Sequence, residues 1–257
     1  MARADGPLRQ SLPDLPAAGS GIVIDDMKVL AVVPARGGSK GIPLKNLRTV
    51  QGKSLVERAG DVAGRVPEID RRVVSTDHPE IASAAQRAGL DAPFLRPEAL
   101  SGDRISDWDV LSHALMEVEA LDGVRYDIVV MLQPTSPLRL VEDISSTIRM
   151  LVDGGYDAVW TVSPTDSKSH PLKQLIVQDG RMDYWDPRGG EIIARQQLTP
   201  VYHRNGVAYA ITRDCLLQQG SIKGGRCGAH IIEEVQISID TEQDLALAEA
   251  ALAQRGA

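Results

Sequence analysis

Apolar runs alternate with segments of helical periodicity over the first two thirds of the chain. Runs of small and branched apolar residues predict buried strands over residues 28–35, 71–77, 126–137 and 157–164. Apolar residues at helical spacing predict helices over residues 54–66, 79–88, 108–121 and 141–155. This alternation predicts an α/β fold in which helices cover a mainly parallel, Rossmann-like sheet in three layers.

An inserted lobe is predicted where this pattern weakens, after Pro164. Residues 165–200 are rich in Pro, Gly, Gln and Asp, and they contain short strand-like pieces over 173–178 and 181–185. We interpret the segment as a hairpin outside the main sheet. It is also the candidate contact of a homodimer.

The last quarter of the chain returns to the main pattern. Strands are predicted over 206–213 and 235–240, and a closing helix is predicted over 241–255. Asp240 and Thr241 are both suitable N-cap residues for this helix.

The first 26 residues are set apart by composition. Residues 1–26 are rich in Pro, Gly and Ala and lack the continuous apolar stretch of a signal peptide. We interpret them as a mobile leader before a single domain over 27–257. The alternative is that residues 21–24 add a small contact at the edge of the sheet.

Charge and composition narrow the class of protein. The 257-residue chain has a formal net charge of −7, which argues against nucleic acid as the main partner because phosphate backbones favour a basic face. No stretch approaches the roughly 18 apolar residues of a membrane span, so no membrane partner is expected. The two cysteines, Cys215 and Cys227, lack metal-binding spacing, and we expect reduced thiols in a cytoplasmic protein.

Four polar clusters follow predicted strands. They are the loop that begins at Arg36, the segment Ser75-Thr76-Asp77, the segment Gln133-Pro134-Thr135-Ser136, and Asp240. Ligands of open parallel sheets bind at the carboxyl ends of the strands. We therefore expect these clusters to converge on one site.

The loop after the first strand reads "VVPARGGSKGIPLKN". It contains neither a Walker A motif nor the dinucleotide fingerprint G-x-G-x-x-G. Its glycines would let backbone N–H groups approach a phosphate, and Arg36, Lys40 and Lys45 supply positive charge. These features favour a triphosphate as the ligand. The alternative is a solvated turn with incidental basic residues.

The motifs "AVVPARGGSKGIPLKNL", "VVSTD", "LRPEAL", "LQPTSPLR", "HPLK", "RQQL", "RNGVAYAI" and "SIDTEQDL" occur in this order along the chain. In this respect the sequence resembles the acylneuraminate cytidylyltransferases, which make CMP-sialic acid. The resemblance runs from about residue 28 to about residue 253. It implies the fold of the nucleotide-diphospho-sugar transferases, CTP and a sugar acid as substrates, Mg²⁺ as the cofactor, and a homodimer.

The resemblance also implies roles for particular residues. Catalysis is assigned to Arg36, Lys45 and Asp240, and Asp240 would bind the metal. Nucleotide binding is assigned to Arg36, Gly37, Ser39, Lys40, Lys45, Asn46, Ser75, Asp77 and Arg96. Binding of the acceptor sugar is assigned to Gln133, Thr135, Ser136, Lys173, Arg195, Gln196, Tyr202 and Asn205. Arg139 is expected to be structural.

Several of these residues have plainer alternatives. Asp77 could cap the helix that follows Pro79, and Asp240 could cap the last helix. Arg96 could be an exposed arginine, and Arg195 could form a surface ion pair. Each alternative predicts different side-chain contacts, so the structure can test it.

Two positions depart from the family's pattern. His203 stands where the family usually has an arginine, with Arg204 after it, and Ser238 replaces the first carboxylate of the usual D-x-D motif. These departures keep alternatives open: a different sugar acid or sugar phosphate activated with CTP or GTP, or a non-catalytic sugar-nucleotide-binding protein. A glycosyltransferase is a third and less favoured alternative.

Overall fold

The computed structural model describes residues 24–255. The predicted leader and its alternative edge contact therefore lie almost wholly outside the described residues. The strands of the described part are β1 (Val29–Pro34), β2 (Thr49–Val50), β3 (Lys53–Ser54), β4 (Arg71–Ser75), β5 (Ile128–Met131), β6 (Ala158–Pro164), β7 (Leu175–Gln178), β8 (Arg181–Tyr184), β9 (Tyr202–Thr212) and β10 (Cys227–Ile231). The α-helices are α1 (Leu55–Ala63), α2 (Pro79–Arg87), α3 (Asp107–Asp122), α4 (Val141–Asp153), α5 (Arg213–Leu217) and α6 (Glu242–Arg255).

A six-stranded sheet in the order β10-β6-β9-β5-β1-β4 forms the centre of the molecule. Its pairs β1–β4, β1–β5 and β10–β6 are parallel. Strand β9 runs antiparallel between β5 and β6. The prediction of a mainly parallel α/β sheet is confirmed, and β9 is its one reversed strand in the described part of the chain.

Both faces of the sheet are buried, as the continuous apolar runs predict. In β1, Val29, Ala31 and Val33 face a core built with α1, α2 and α4. The alternate residues Leu30 and Val32 face a second core built with α3 and α5. Strand residues point alternately to opposite faces, so a strand between two helical layers must be apolar at every position.

The prediction of a strand over 235–240 is wrong. The segment joins no sheet, and the Ile239 backbone N–H donates to the carbonyl of Thr135 at 2.9 Å. Ile237 and Ile239 instead pack on a third apolar cluster with Ile42 and Leu245. The alternation of apolar residues therefore reflects burial of a connecting segment.

The edge strand β10 is absent from the predicted elements. Its sequence, Cys-Gly-Ala-His-Ile, has only one β-branched residue, so its intrinsic preference for a strand is weak. A Cβ at Gly228 would lie 3.1 Å from the ring of Tyr156, which shows how closely this strand packs. Tertiary packing here overrides local preference.

The predicted lobe is a hairpin of β7 and β8, paired antiparallel with each other and outside the main sheet. It exposes large apolar side chains: Val177 and Met182 are each 73% exposed, Trp185 70% and Ile193 93%. Among the described residues, no helix is long and apolar enough to cross a membrane.

A buried polar network joins β9 to β6 where their register shifts. The side-chain oxygen of Asn205 accepts hydrogen bonds from the Thr161 hydroxyl (2.6 Å) and the Val207 backbone N–H (3.1 Å). Its amide nitrogen donates to Ser163 Oγ at 3.0 Å. All three side chains of the network are buried, so each polar atom depends on the others for its partner.

We expect Asn205→Ala to lower the free energy of unfolding by about 2 to 4 kcal/mol, because it leaves buried donors and acceptors unpaired. Urea denaturation followed by circular dichroism measures this change. Thr161→Val removes the same network from the β6 side, so the double variant should lose less than the sum of the two single losses. A loss under about 0.5 kcal/mol for Asn205→Ala, typical of surface changes, would contradict this role.

Candidate active site

A cavity of about 310 Å³ opens at the carboxyl ends of β1 and β5. Seven of the residues predicted for the site line it: Arg36, Ser39, Lys45, Asn46, Arg96, Gln133 and Thr135. They come from two of the four polar clusters and from the segment around Arg96, and the other two clusters contact the loop through Asp77 and Asp240. The expected convergence is therefore observed within one chain.

The loop after β1 is held in place through its backbone. The N–H of Gly37 donates to Asp77 Oδ1 at 2.8 Å, and the amide of Asn46 donates to the carbonyl of Arg36 at 3.0 Å. The alternative role of Asp77 as a helix cap is wrong, because His78 is the N-cap residue of α2. Asp77 and Asn46 thus hold both polar groups of the peptide that joins Arg36 to Gly37.

Lys45 connects this loop to the segment before α6. Its ammonium donates to the carbonyl of Ile239 at 2.7 Å and to Asp240 Oδ1 at 2.8 Å. The two segments approach so closely that a Cβ at Gly41 would lie 2.7 Å from the carbonyl oxygen of Asp240, so only glycine fits there.

Asp240 is not the cap of α6. Thr241 Oγ1 accepts from the backbone N–H of Asp244, and the Asp244 carboxylate accepts from the backbone N–H groups of Asp240 and Thr241. This arrangement is a capping box made by Thr241 and Asp244. The Asp240 carboxylate is therefore free of any capping role and lies beside Lys45.

Asp103 bridges the two other basic residues of the loop. Its carboxylate oxygens lie 2.8 Å from Arg36 Nη1 and 2.7 Å from Lys40 Nζ. Hydrogen bonds from Lys40 and from Arg36 lower the pKa of this carboxyl group. Asp103 itself lines the cavity. A phosphate that approaches Arg36 and Lys40 would have to compete with this carboxylate.

Arg96 is a buried wall of the cavity, so the alternative of an exposed arginine is wrong. The residue is 5% exposed, and its backbone N–H donates to the carbonyl of Thr76 at 2.7 Å. Burial lowers the pKa of Arg96, and the nearby charge of Asp77 opposes this shift. Its Nε has no partner among the described residues. A bound anion would supply one.

The segment after β5 forms the other wall, and its geometry depends on Gly206. Gly206 has φ +71°, and a Cβ there would lie 2.4 Å from Gln133 Oε1. The carbonyls of Gln133 and Gly206 both accept hydrogen bonds from the buried guanidinium of Arg139. This confirms the expected structural role of Arg139.

Four of the remaining predicted residues border this cavity without lining it: Gly37, Lys40, Asp77 and Asp240. The others lie away from it. Ser75 is fully buried. Ser136, in the segment after β5, and Asn205, in β9, are also buried, and Ser136 Oγ donates to the Asn205 carbonyl at 2.8 Å. Lys173, Arg195, Gln196 and Tyr202 belong to the lobe or its junction with β9. Arg195 lines a separate cavity of about 340 Å³ with His170 and Thr165. One chain therefore brings together the predicted nucleotide-binding residues other than Ser75, but not the full acceptor set.

Two acidic residues of the cavity are absent from the predicted set. Asp103 and Asp107 both line it, and Asp107 begins α3. Burial raises the pKa of Asp107, while the charge of Arg204 opposes that rise. The only sequence signal for them is a short polar stretch, "SGDRISD", between "LRPEAL" and an amphipathic helix.

Comparison with known proteins decides which family has this arrangement. A family model described as "Cytidylyltransferase" matches residues 30–255. The chain belongs to the cytidylyltransferase family. The resemblance seen in the sequence, the assignment as a nucleotidyltransferase and the fold class are thereby confirmed.

Curated relatives cover nearly the whole cytidylyltransferase. A protein of Legionella pneumophila named CMP-N,N'-diacetyllegionaminic acid synthase is 32% identical over 87% of this chain and 95% of its own length. The post-translational flagellin modification protein B of Campylobacter coli is 30% identical over 86% of this chain and 94% of its own. Other relatives, each 28% identical, are named N-acylneuraminate cytidylyltransferase and pseudaminic acid cytidylyltransferase.

The fold also matches a solved structure. A structure described as CMP:2-keto-3-deoxy-manno-octonic acid synthetase complexed with CTP superposes with a TM-score of 0.66. It is 22% identical and covers 89% of this chain, and the alignment spans 99% of that chain. At this identity the match concerns the fold of the cytidylyltransferase.

We expect Asp103→Asn to bind CTP about three- to tenfold more tightly, because the carboxylate that competes for Arg36 and Lys40 is removed. Isothermal titration calorimetry without acceptor measures this affinity. Asp153→Asn, at the exposed end of α4, makes the same change in net charge and should leave the affinity unaltered. Unchanged or weaker binding by Asp103→Asn would contradict the competition.

Proposed function

We propose that this cytidylyltransferase transfers CMP from CTP to a nonulosonic acid and releases pyrophosphate. The observation that supports it best is the cavity in which Arg36, Lys45 and Arg96 meet beside the segment of Gln133 and Thr135. Three cations at one wall suit a triphosphate, and polar side chains opposite suit a hydroxyl-rich acceptor. The names of its relatives, which refer to legionaminic, pseudaminic and N-acylneuraminic acids, agree with this acceptor class.

In the proposed reaction, a hydroxyl oxygen of the sugar acid attacks the α-phosphorus of CTP. The new O–P bond forms as the bond from the α-phosphorus to the bridging oxygen of pyrophosphate breaks, and the hydroxyl proton is released. Arg36 and Lys40 would neutralise the departing pyrophosphate, and Lys45 would stabilise charge on the α-phosphate. The backbone bonds to Asp77 and Asn46 keep these groups oriented before substrate binds.

Mg²⁺ fits the donors at Asp240. Among residues 24–255 no three His, Cys, Asp or Glu side chains come together as a metal site, so Asp240 would act as a single protein ligand. Mg²⁺ is commonly held by one or two carboxylates, with substrate phosphates and waters as the other ligands. When bound, the ion would neutralise phosphate charge. Lys45 would then exchange its contact with Asp240 for a phosphate oxygen.

A homodimer would account for the acceptor residues that lie outside the cavity. The lobe that carries Lys173, Arg195 and Gln196 also exposes Val177, Met182 and Trp185, an apolar surface suited to a second copy of the chain. In such a dimer the lobe of one subunit would approach the cavity of the other. We further propose a cytoplasmic location, because Cys215 and Cys227 are both free thiols.

The two departures from the family's pattern bear on which acid is accepted. His203 faces the lobe, with its Nδ1 3.1 Å from Thr165 Oγ1. The guanidinium carbon of Arg204 lies 5.0 Å from the ring centre of Trp160 and 5.6 Å from that of Tyr209. Adjacent strand residues face opposite sides, so moving the arginine by one position moves its charge across the strand. The acceptor carboxylate would meet a different charge distribution.

The test is a pyrophosphate-release assay with each of the four nucleoside triphosphates and with legionaminic, pseudaminic and N-acylneuraminic acids. We expect release with CTP, dependent on Mg²⁺ and on one or more of these acids. Release with GTP and none with CTP would contradict the proposed donor. No release with any pair would contradict the enzymatic function.

We expect Arg36→Ala to lower kcat/KM for CTP by about 10²-fold or more, because a cation that stabilises the leaving group is removed. Steady-state kinetics measures this loss. Arg104→Ala is the matched control, since Arg104 is an exposed arginine of the neighbouring loop and does not line the cavity. Equal kinetics for the two variants would remove Arg36 from the mechanism.

A further inference from the structure

A second cationic cavity lies on the other side of the segment that follows β5. Its volume is about 380 Å³, and it is bounded by α1, the end of α6 and residues 137–140. It shares no lining residue with the proposed active site. Its charged lining residues are Lys53, Arg58, Arg65, Arg139 and Arg255, against a single carboxylate, Asp61.

Arg139 is the buried end of this cavity. The residue is 4% exposed, and only its Nη2 is hydrogen-bonded, to the carbonyls of Gln133 and Gly206. Its Nε and Nη1 are buried and have no partner among the described residues. A buried donor that is left unpaired is costly, and a cationic one more so.

The acidic groups nearby leave this charge uncompensated. Burial lowers the pKa of Arg139 to about 9, and the charge of Asp143 only partly opposes that shift. Asp143 Oδ2 accepts from the backbone N–H of Leu140. Asp61 is already paired with Lys53, and Glu249 accepts from the backbone N–H of Gln51. No carboxylate among the described residues contacts the Arg139 guanidinium.

The other cations are anchored by their neighbours and directed at the same space. Arg58 donates from Nε to the carbonyl of Val50 at 2.8 Å, and Arg255 donates from Nη1 to the carbonyl of Leu138 at 2.6 Å. Each guanidinium keeps further N–H groups beyond these bonds. Guanidinium groups held in place by backbone carbonyls are pre-organised for a planar or tetrahedral oxyanion.

We propose that this cavity is a second anion site, which takes a small phosphate-bearing ligand of two or more negative charges. The ligand would lie among Lys53, Arg58, Arg65 and Arg255 and provide the counter-charge that Arg139 lacks. Through Arg139, the site contacts the carbonyl of Gln133, whose side chain belongs to the wall of the active site. An occupied site would therefore reinforce that wall from behind. The proposal does not depend on the reaction proposed above.

The test uses inorganic pyrophosphate as the probe and isothermal titration calorimetry as the measurement, without Mg²⁺. Arg36→Ala is used as the background, so that binding at the active site is weakened. We expect this protein to retain saturable binding of one pyrophosphate per chain. Adding Lys53→Gln and Arg65→Gln should weaken that binding about tenfold or more, because two charged contacts are lost. These two residues are exposed, so the variant is expected to fold.

The matched control adds Lys223→Gln and Arg125→Gln, two exposed cations that line neither cavity, to the same background and should leave the affinity unchanged. Absence of saturable binding in the Arg36→Ala protein would overturn the site, leaving Arg139 to be solvated by internal water. Binding that both double changes weaken equally would overturn it as well. Tighter binding of malonate than of pyrophosphate would overturn the phosphate class. If the proposed CMP transfer were wrong, the pyrophosphate-release assay would show it, and the result of this titration would not change.

Discussion

Charge pairing across the carboxyl edge of the sheet organises the rest of the site. The loop after β1 concentrates positive charge and N–H groups. Three carboxylates from distant parts of the chain pair with these groups. Asp77 accepts from Gly37, Asp103 bridges Arg36 and Lys40, and Asp240 pairs with Lys45. Such concentrated charge would repel itself without these partners. The same carboxylates are the groups that a triphosphate must replace or join.

The fold brings residues that are far apart in sequence close enough to form these pairs. Lys45 and Ile239 are 194 positions apart in sequence, yet they are joined by a hydrogen bond because the segment before α6 packs on the third apolar cluster. Strand β9 similarly positions the opposite wall of the cavity. Its buried network around Asn205 and the left-handed Gly206 set the position of the segment that carries Gln133. Packing and hydrogen bonds outside the cavity thus fix the positions of its walls.

Much of the fold could be predicted from the sequence because strands buried on both faces leave continuous apolar runs. The prediction was wrong over 235–240, where apolar alternation marks burial without strand pairing, and it lacked β10, whose composition is weak for a strand. The place of the basic loop after β1 in the cavity wall was predictable because its basic residues and glycines are close together in sequence. Asp103 was not, because its ion pairs join residues more than 60 positions apart and nothing in its own segment indicates them.

The acceptor residues show a different limit. Motif matching groups Ser136, Asn205, Lys173 and Arg195 with the sugar, but a motif does not say whether a side chain points to a ligand or into the core. Ser136 and Asn205 are occupied by buried hydrogen bonds, and Arg195 lies on the lobe. Burial and position in the fold distinguish a side chain that faces a ligand from one that faces the core, and a motif gives neither. In the proposed homodimer, a second subunit would bring the lobe residues to the site.

The account depends most on where the triphosphate binds. A crystal structure of the protein with CTP and Mg²⁺ tests this directly. It should show the phosphates in contact with Arg36, Lys40 and Lys45, the Asp103 carboxylate displaced from Arg36 and Lys40, and Asp240 beside the metal. Phosphates bound elsewhere, with the Asp103 bridge intact, would contradict the account.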